Sequence, residues 1–179
     1  MLNTRFKDQS GFTLIEMLIV VIILGILAMI IIPQINVSSG EAKLNPLRTN
    51  LGTVRNAIEL YYHQHNSVYP GAVKTDGTGA ATVATDLPAA FIDQLTKYTE
   101  ANGKAAGDRS TLTAPIFGPY LKTATLPENP YNNSTGVTCD ITVTDVTTRT
   151  ATPGDGTGWK FYVNTGVMIA NDSAANAAY

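Results

Sequence analysis

The stretch that decides the fold is residues 12–32, which have the sequence FTLIEMLIVVIILGILAMIII and contain one charge, Glu16. As an α-helix rising about 1.5 Å per residue, this segment is about 30 Å long, which matches the apolar core of a bilayer. Arg5 and Lys7 precede it, and the first charge after it is Glu41. Because basic residues stay on the cytoplasmic side, we expect one membrane-spanning helix with a cytoplasmic N-terminus and an exported remainder.

A cleaved secretory signal peptide is the main alternative for this stretch. Such a peptide usually has an apolar core of about 7–15 residues and ends at a small-x-small site. The stretch here is longer and ends in IIIPQ at residues 30–34, without such a site. We therefore expect the apolar segment to be retained.

Helical periodicity continues beyond the apolar segment. A stripe of residues spaced three and four apart would lie on one helix face: Leu44, Leu47, Leu51, Val54, Ile58 and Tyr61. One helix over 12–66 would be about 80 Å long, and Pro33 should kink it because proline removes an intrahelical hydrogen bond. A second bend or a short break is expected between Ser38 and Pro46, where Asn45 could cap a new helical turn.

The remaining residues, 67–179, are expected to form a small head domain. One short helix is predicted by the spacing of Phe91, Leu95 and Tyr98. Loops and an extended proline-rich segment are expected to follow. Strands are predicted where apolar and polar residues alternate or return from a turn: 137–143, 159–163 and 167–170. The prediction is an α+β fold in which a long kinked N-terminal helix, half membrane-spanning and half amphipathic, packs on a small C-terminal antiparallel sheet.

Composition and missing motifs exclude several functions. Lys and Arg total 12 against 14 Asp and Glu, so no basic face for nucleic acid is expected. Cys139 is the only cysteine, which excludes an intrachain disulfide and a cysteine zinc site. His63 and His65 would point about 200° apart on a helix, so they cannot share a metal and are expected at solvated or rim positions. With no nucleophile-elbow, P-loop or zinc-protease motif, we expect no enzymatic activity.

The segment GFTLIE at residues 11–16 follows a short leader with basic residues and opens the apolar run. It resembles the class III signal of type IV pilins and type II secretion pseudopilins. The resemblance implies that a prepilin peptidase cuts between Gly11 and Phe12 and methylates Phe12. The resemblance divides the chain into a leader (1–11), an N-terminal helix (12–66) and a head domain (67–179). The first part of the helix is expected to span the membrane and later to form the filament core.

Glu16 needs a partner if it lies at membrane depth. Burying a carboxylate there costs about 2.5–3.5 kcal/mol, whereas an opposite charge about 4 Å away gains roughly 4 kcal/mol at an effective dielectric of 20. Pairing with the Phe12 amine can therefore offset the cost, and the resemblance implies that this amine belongs to a neighbouring subunit. A protonated or outward-reaching Glu16 is the alternative. The resemblance also implies loss of helical hydrogen bonds between Gly25 and Pro33 on assembly, with a simple kink as the alternative.

The C-terminal part carries a second resemblance. The segments LPENPY at 126–131 and GWKFYV at 158–163 are similar to the major pseudopilin of type II secretion. That family often binds calcium in its C-terminal loops, where this chain has three oxygen-bearing residues: Asp155, Asn171 and Asp172. Since calcium takes six to eight oxygens and a solvated turn is the alternative, no metal or cofactor is assigned.

These resemblances imply a structural subunit of a pseudopilus in type II protein secretion. Its expected partners are copies of itself, prepilin peptidase, an inner-membrane assembly platform and, before assembly, membrane lipid. The head domain is expected in the periplasm, or at the cell surface once assembled. A type IV pilus subunit for adhesion, motility or DNA uptake is the first alternative. The second is an envelope protein with a single membrane anchor and an exported binding domain.

Overall fold

The structure is a computed structural model that describes residues 11–82 and 85–179, with side chains for all of these except 30–40. The chain divides into two compact units, Met1–Ala42 and Lys43–Tyr179. Residues 1–10 of the predicted leader lie outside the described residues. The regular elements are α1 (Leu14–Gln64), α2 (Asp86–Thr96), β1 (Tyr98–Glu100), β2 (Ala105–Ala106), β3 (Ile116–Phe117), β4 (Val137–Asp140), β5 (Trp159–Tyr162) and β6 (Val167–Ala170).

Helix α1 accounts for nearly all of the predicted N-terminal helix. Its backbone is helical at Pro33 and from Ser38 to Pro46, so the expectation of a short break there was wrong. A proline costs a helix one hydrogen bond, but its fixed φ is itself helical, and α1 accommodates both prolines. The predicted kink at Pro33 is a bend of the helix axis, which a helical backbone assignment does not address, and it stays a prediction.

The apolar start of α1 is exposed in the first unit. From Phe12 to Met29, every large apolar side chain is between 48% and 87% exposed. In the part of the chain that the structure describes, no helix is long and apolar enough to cross a membrane. The last three residues of the predicted span lie among those whose side chains are not described, and the span stays a prediction.

The second unit contains two small sheets. The first has the order β2-β1-β3 and is antiparallel; sequence analysis predicted no strand there and placed Tyr98 in a helix that in fact ends at Thr96. The second has the order β4-β5-β6. Strand β6 is antiparallel to β5, as predicted, but β4 is parallel to β5, so this sheet is mixed. The connection over 141–158 is long enough for the crossover that a parallel pair requires.

The predicted stripe on α1 is the docking face for the second unit's core. Leu47, Leu51, Val54, Ile58 and Tyr61 are at most 1% exposed, and Leu44 packs against them at the edge. Their partners in one apolar cluster come from α2 and the second sheet, chiefly Phe91, Leu95, Trp159, Phe161 and Met168. Burial of this stripe confirms the predicted contact between helix and sheet.

The two histidines differ in burial. His63 is exposed, as expected, but His65 is 1% exposed, which corrects its predicted rim position. Its Nδ1 lies 2.9 Å from the Tyr61 carbonyl and its Nε2 2.9 Å from the Thr99 hydroxyl. Burial lowers the pKa of this imidazole. Because Thr99 belongs to β1, the unpredicted first sheet is what covers the end of α1.

Ile58 provides a test of the docking face. The Ile58→Ala variant should lose about 2–5 kcal/mol of unfolding free energy, because the fully buried side chain would leave a cavity between α1 and the sheet. Urea titration of the full chain in detergent would measure the loss. The control is Leu60→Ala on the same helix, where the side chain is 50% exposed and the change should stay within about 0.5 kcal/mol. Equal losses at both positions would contradict the packing described.

Candidate functional site

The predicted cleavage bond lies in accessible chain ahead of α1. Gly11, Phe12 and Thr13 have no regular secondary structure, and the Phe12 side chain is 77% exposed. A Cβ added to Gly11 would meet no atom within 4 Å. Exposed, non-helical chain is the substrate that proteases prefer, so the bond between Gly11 and Phe12 is open to an enzyme.

Thr13 and Glu16 form a reciprocal pair at the start of α1. The Thr13 N–H and hydroxyl donate to Glu16 Oε2 at 2.9 and 2.7 Å, and the Glu16 N–H donates to Thr13 Oγ1 at 3.3 Å. This is a capping box, which satisfies backbone donors that a helix N-terminus otherwise leaves unpaired. Sequence analysis treated Glu16 only as a charge in need of a partner, although Thr-x-x-Glu before an apolar run is a legible capping signal.

The capping box determines how the Glu16 carboxylate is held in the first turn of α1. Glu16 is held at a helix N-terminus, where the helix dipole favours a negative charge. Among the described residues, its hydrogen bonds come from the N–H and hydroxyl of Thr13. The nitrogen of Phe12 becomes an amine only if the bond after Gly11 is cut, so the proposed pairing of that amine with Glu16 stays a prediction.

The five residues predicted for processing and assembly fall into two groups. Gly11, Phe12 and Glu16 lie together at the start of α1, whereas Gly25 and Pro33 lie further along the same helix. A Cβ at Gly25 would meet nothing within 4 Å, so packing among the described residues does not require glycine there. The Pro33 side chain lies outside the described part. The assembly roles of both residues stay predictions.

The three oxygen-bearing residues considered for calcium lie in two hydrogen-bonded groups. In the first, Asn171 Nδ2 donates to Asp155 Oδ2 at 2.9 Å. In the second, Asp172 accepts from Asn129 Nδ2 on Oδ1 at 2.7 Å and from Asn176 Nδ2 on Oδ2 at 2.6 Å. The structure thus brings Asp155 and Asn171 together but engages Asp172 elsewhere.

The orientation of these amides decides whether a cation fits. Asn171 Oδ1 accepts the Thr152 N–H at 2.6 Å, and Asn129 Oδ1 accepts the Tyr131 N–H at 2.9 Å. Because a backbone N–H can only donate, each amide must turn its own NH₂ toward a carboxylate. Calcium binds oxygen lone pairs, not N–H groups, and the described residues contain no group of three or more acidic, histidine or cysteine side chains that could hold a metal. The residues present do not fit a calcium ion.

Aspartates also hold several loops of the second unit. In five Asp-x-Ser/Thr segments, an aspartate accepts the backbone N–H two residues later, starting at Asp76, Asp108, Asp140, Asp145 and Asp155. At Asp108 the bonds from the Ser110 backbone and side chain lower the pKa of the carboxyl. At Asp155 burial alone would raise the pKa, but bonds from Thr157, Thr138 and Asn171 outweigh it and the net pKa is lowered.

These lowered pKa values predict acid sensitivity. A carboxyl whose folded pKa lies below its unfolded pKa, about 3.9 for Asp, stabilises the fold above that pH and loses this contribution as pH falls through the folded pKa. The melting temperature of the full chain should therefore be nearly constant above about pH 5 and fall below about pH 4. Calorimetry would measure it, with Asp155→Asn expected to show a shallower fall. An unchanged melting temperature down to pH 2 would contradict the prediction of acid sensitivity.

The site and fold together define a class of protein. A short chain segment with an accessible Gly11–Phe12 bond leads into a helix that is apolar and exposed at its start, carries Glu16 in its first turn, and packs its later part on an α+β unit. This arrangement resembles that of a pilin-like subunit.

Comparison with known proteins agrees with that class. Residues 6–32 match the family profile of the prokaryotic N-terminal methylation motif. The chain is 39% identical over 64 residues to type II secretion system core protein G of Pseudomonas aeruginosa, which covers 36% of this chain and 44% of that protein. The corresponding protein of Vibrio cholerae is 38% identical over 66 residues, covering 37% and 44%. The type IV major pilin protein PilE1 of Neisseria gonorrhoeae is 30% identical over 95 residues, covering 53% and 41%.

The motif and these relatives show that this chain is similar to type IV pilins and to type II secretion core proteins. The chain spans less than half the length of the relatives it matches. No solved structure gave a significant match.

Proposed function

We propose that this chain is a structural subunit of a pseudopilus of the kind used in type II protein secretion, with no enzymatic activity of its own. The observation that supports this most is the accessible Gly11–Phe12 bond directly ahead of a helix with Glu16 in its first turn. The match of residues 6–32 to the methylation motif and the similarity to core protein G add to it. The role of the chain is to supply packing surface.

Assembly follows from the exposed start of α1. Its apolar side chains first lie in the lipid of the inner membrane, with the N-terminus in the cytoplasm and the second unit in the periplasm. Prepilin peptidase then removes the leader and methylates Phe12. At an inner-membrane assembly platform, neighbouring copies replace lipid around the helix, and close packing of side chains is what favours that exchange.

Glu16 sets the register of this packing. The cost of burying the Glu16 carboxylate is offset only in a packing arrangement that places the Phe12 amine of another copy beside it. A copy that slides along the helix by one turn, about 5.4 Å, would separate the two charges and leave both without a partner.

A type IV pilus subunit is the second candidate. The match to PilE1 covers 53% of this chain, more than the matches to core protein G cover. The identity of that match is 30%, against 39% for core protein G of Pseudomonas aeruginosa. An envelope protein with a single anchor is a weaker candidate, because a simple anchor has no need for a cleavable Gly11–Phe12 bond or for Glu16.

Mass spectrometry of the protein purified from membranes of cells that contain prepilin peptidase tests the proposal. The expected N-terminus is N-methylated Phe12. A native chain that still begins at Met1, or one trimmed beyond Ile32 into a soluble product, would rule it out. Electron microscopy then separates the two candidates, since long surface fibres would indicate a pilus.

A further inference from the structure

We propose that protein amides take the place of a bound cation in the C-terminal loops, so that the stability of the second unit does not depend on calcium. The amide clasp consists of Asp155 with Asn171, and of Asp172 with Asn129 and Asn176. This inference concerns the folding of the second unit and holds whether or not the chain forms filaments.

The first half of the clasp leaves no acceptor free at Asp155. Oδ1 accepts the Thr157 N–H and hydroxyl, both at 2.8 Å. Oδ2 accepts the Thr138 hydroxyl at 2.8 Å and Asn171 Nδ2 at 2.9 Å. An ionised carboxylate offers about four lone-pair positions, and four donors of the protein use them. A cation at this carboxylate would have to displace donors whose positive ends repel it.

The second half is buried more deeply. Asn129 is fully buried and Asn176 is 8% exposed, and both donate to Asp172. Asn129 Nδ2 also donates to the Gly158 carbonyl at 2.8 Å, which ties its loop to the start of β5. A buried amide that lost these acceptors would cost more than a surface bond, because water could not replace them.

The clasp connects three loops that are distant in sequence. Asn129 lies before β4, Asp155 lies between β4 and β5, and Asn171, Asp172 and Asn176 follow β6. Tying such loops together is a common structural role of a bound ion. In this chain, the same loops are held together by neutral N–H donors that bind carboxylates. Each amide is fixed in orientation, either by a backbone N–H that donates to its oxygen or by the carboxylate to which it donates.

The test is thermal unfolding of the full chain in detergent, in EGTA and in excess calcium chloride, with sodium chloride matching the ionic strength. The two melting temperatures should agree. A calcium ion that binds only the folded state, present at 100 times its Kd, would instead raise the melting temperature by about 5–11 °C for a chain of this length, and the rise would continue with the logarithm of the calcium concentration. A melting temperature that rises steadily with the logarithm of the calcium concentration would overturn the proposal.

The Asn171→Asp variant gives a second, independent readout. It replaces the donor that faces Asp155 by a carboxylate and so creates two adjacent acidic side chains. In EGTA its melting temperature should fall below that of the wild type, and calcium should restore part of the difference. The control is Asn56→Asp, the same change at an exposed position of α1 outside the clasp, which should match the wild type in both conditions. An Asn171→Asp protein as stable as the wild type in EGTA would show that Asn171 does not hold the loops.

Discussion

Replacing Gly11 with phenylalanine should leave the precursor uncut and abolish filaments. In the structure, a Cβ at residue 11 would meet no atom of the described residues within 4 Å, so their packing tolerates a side chain there. The block would therefore arise at the peptidase, where glycine lets the backbone approach closely. Mass spectrometry of membrane protein should show a chain that starts at Met1 and carries no methylated Phe12.

The control for Gly11 is Gly25→Ala, which also adds a side chain at an open position, but within α1. This variant should be processed normally, because the change is remote from the cleavage bond. The Gly11→Ala variant should show an intermediate loss, because a methyl group hinders close approach less than an aromatic ring. Efficient processing of the Gly11→Phe protein would disprove the assignment of the cleavage bond.

The Glu16→Ala variant should still be processed and inserted, but its filament yield should fall by at least about tenfold. Loss of the pairing between carboxylate and amine removes roughly 4 kcal/mol of attraction in a partly polar environment, and a difference of 1.4 kcal/mol is already a factor of ten. Chemical cross-linking of whole cells, followed by immunoblotting for multimers of the subunit, would measure the yield. The membrane fraction should contain wild-type amounts of the subunit.

Two variants separate charge pairing from helix capping at Glu16. Glu16→Gln keeps a side chain that completes a capping box but has no charge, whereas Thr13→Ala keeps the charge and removes the hydroxyl of the box. If pairing sets the register, the glutamine variant should fail to assemble and the alanine variant at Thr13 should assemble. The reverse outcome would show that Glu16 acts by capping, and the pairing hypothesis would be wrong.

The features that depend on periodicity or on a motif could be predicted from the sequence. The stripe from Leu44 to Tyr61 predicted the face of α1 that is buried, because helical spacing makes an apolar face visible in sequence. The alternation around Trp159 predicted β5 for the same reason. The pair Gly11–Phe12 with Glu16 was visible as a motif and was matched by the family profile at residues 6–32.

Other features depend on tertiary contacts that local patterns do not encode. Strands β2 and β3 have two residues each, too few to show alternation. The parallel pairing of β4 with β5 depends on the course of the loop between them. His65 is buried because β1 covers it, and β1 was not predicted. The amide clasp joins Asn129 to Asp172 across 43 positions, with no local signal at either residue.

The capping box at Thr13 and Glu16 has a consequence for maturation. Every atom in it lies on the C-terminal side of the bond between Gly11 and Phe12, so cutting that bond leaves its hydrogen bonds intact. The peptidase would thus convert a neutral peptide nitrogen into a cation without disturbing the folded turn one residue away. Maturation would thus add an electrostatic contact to a first helical turn whose hydrogen bonds are already formed.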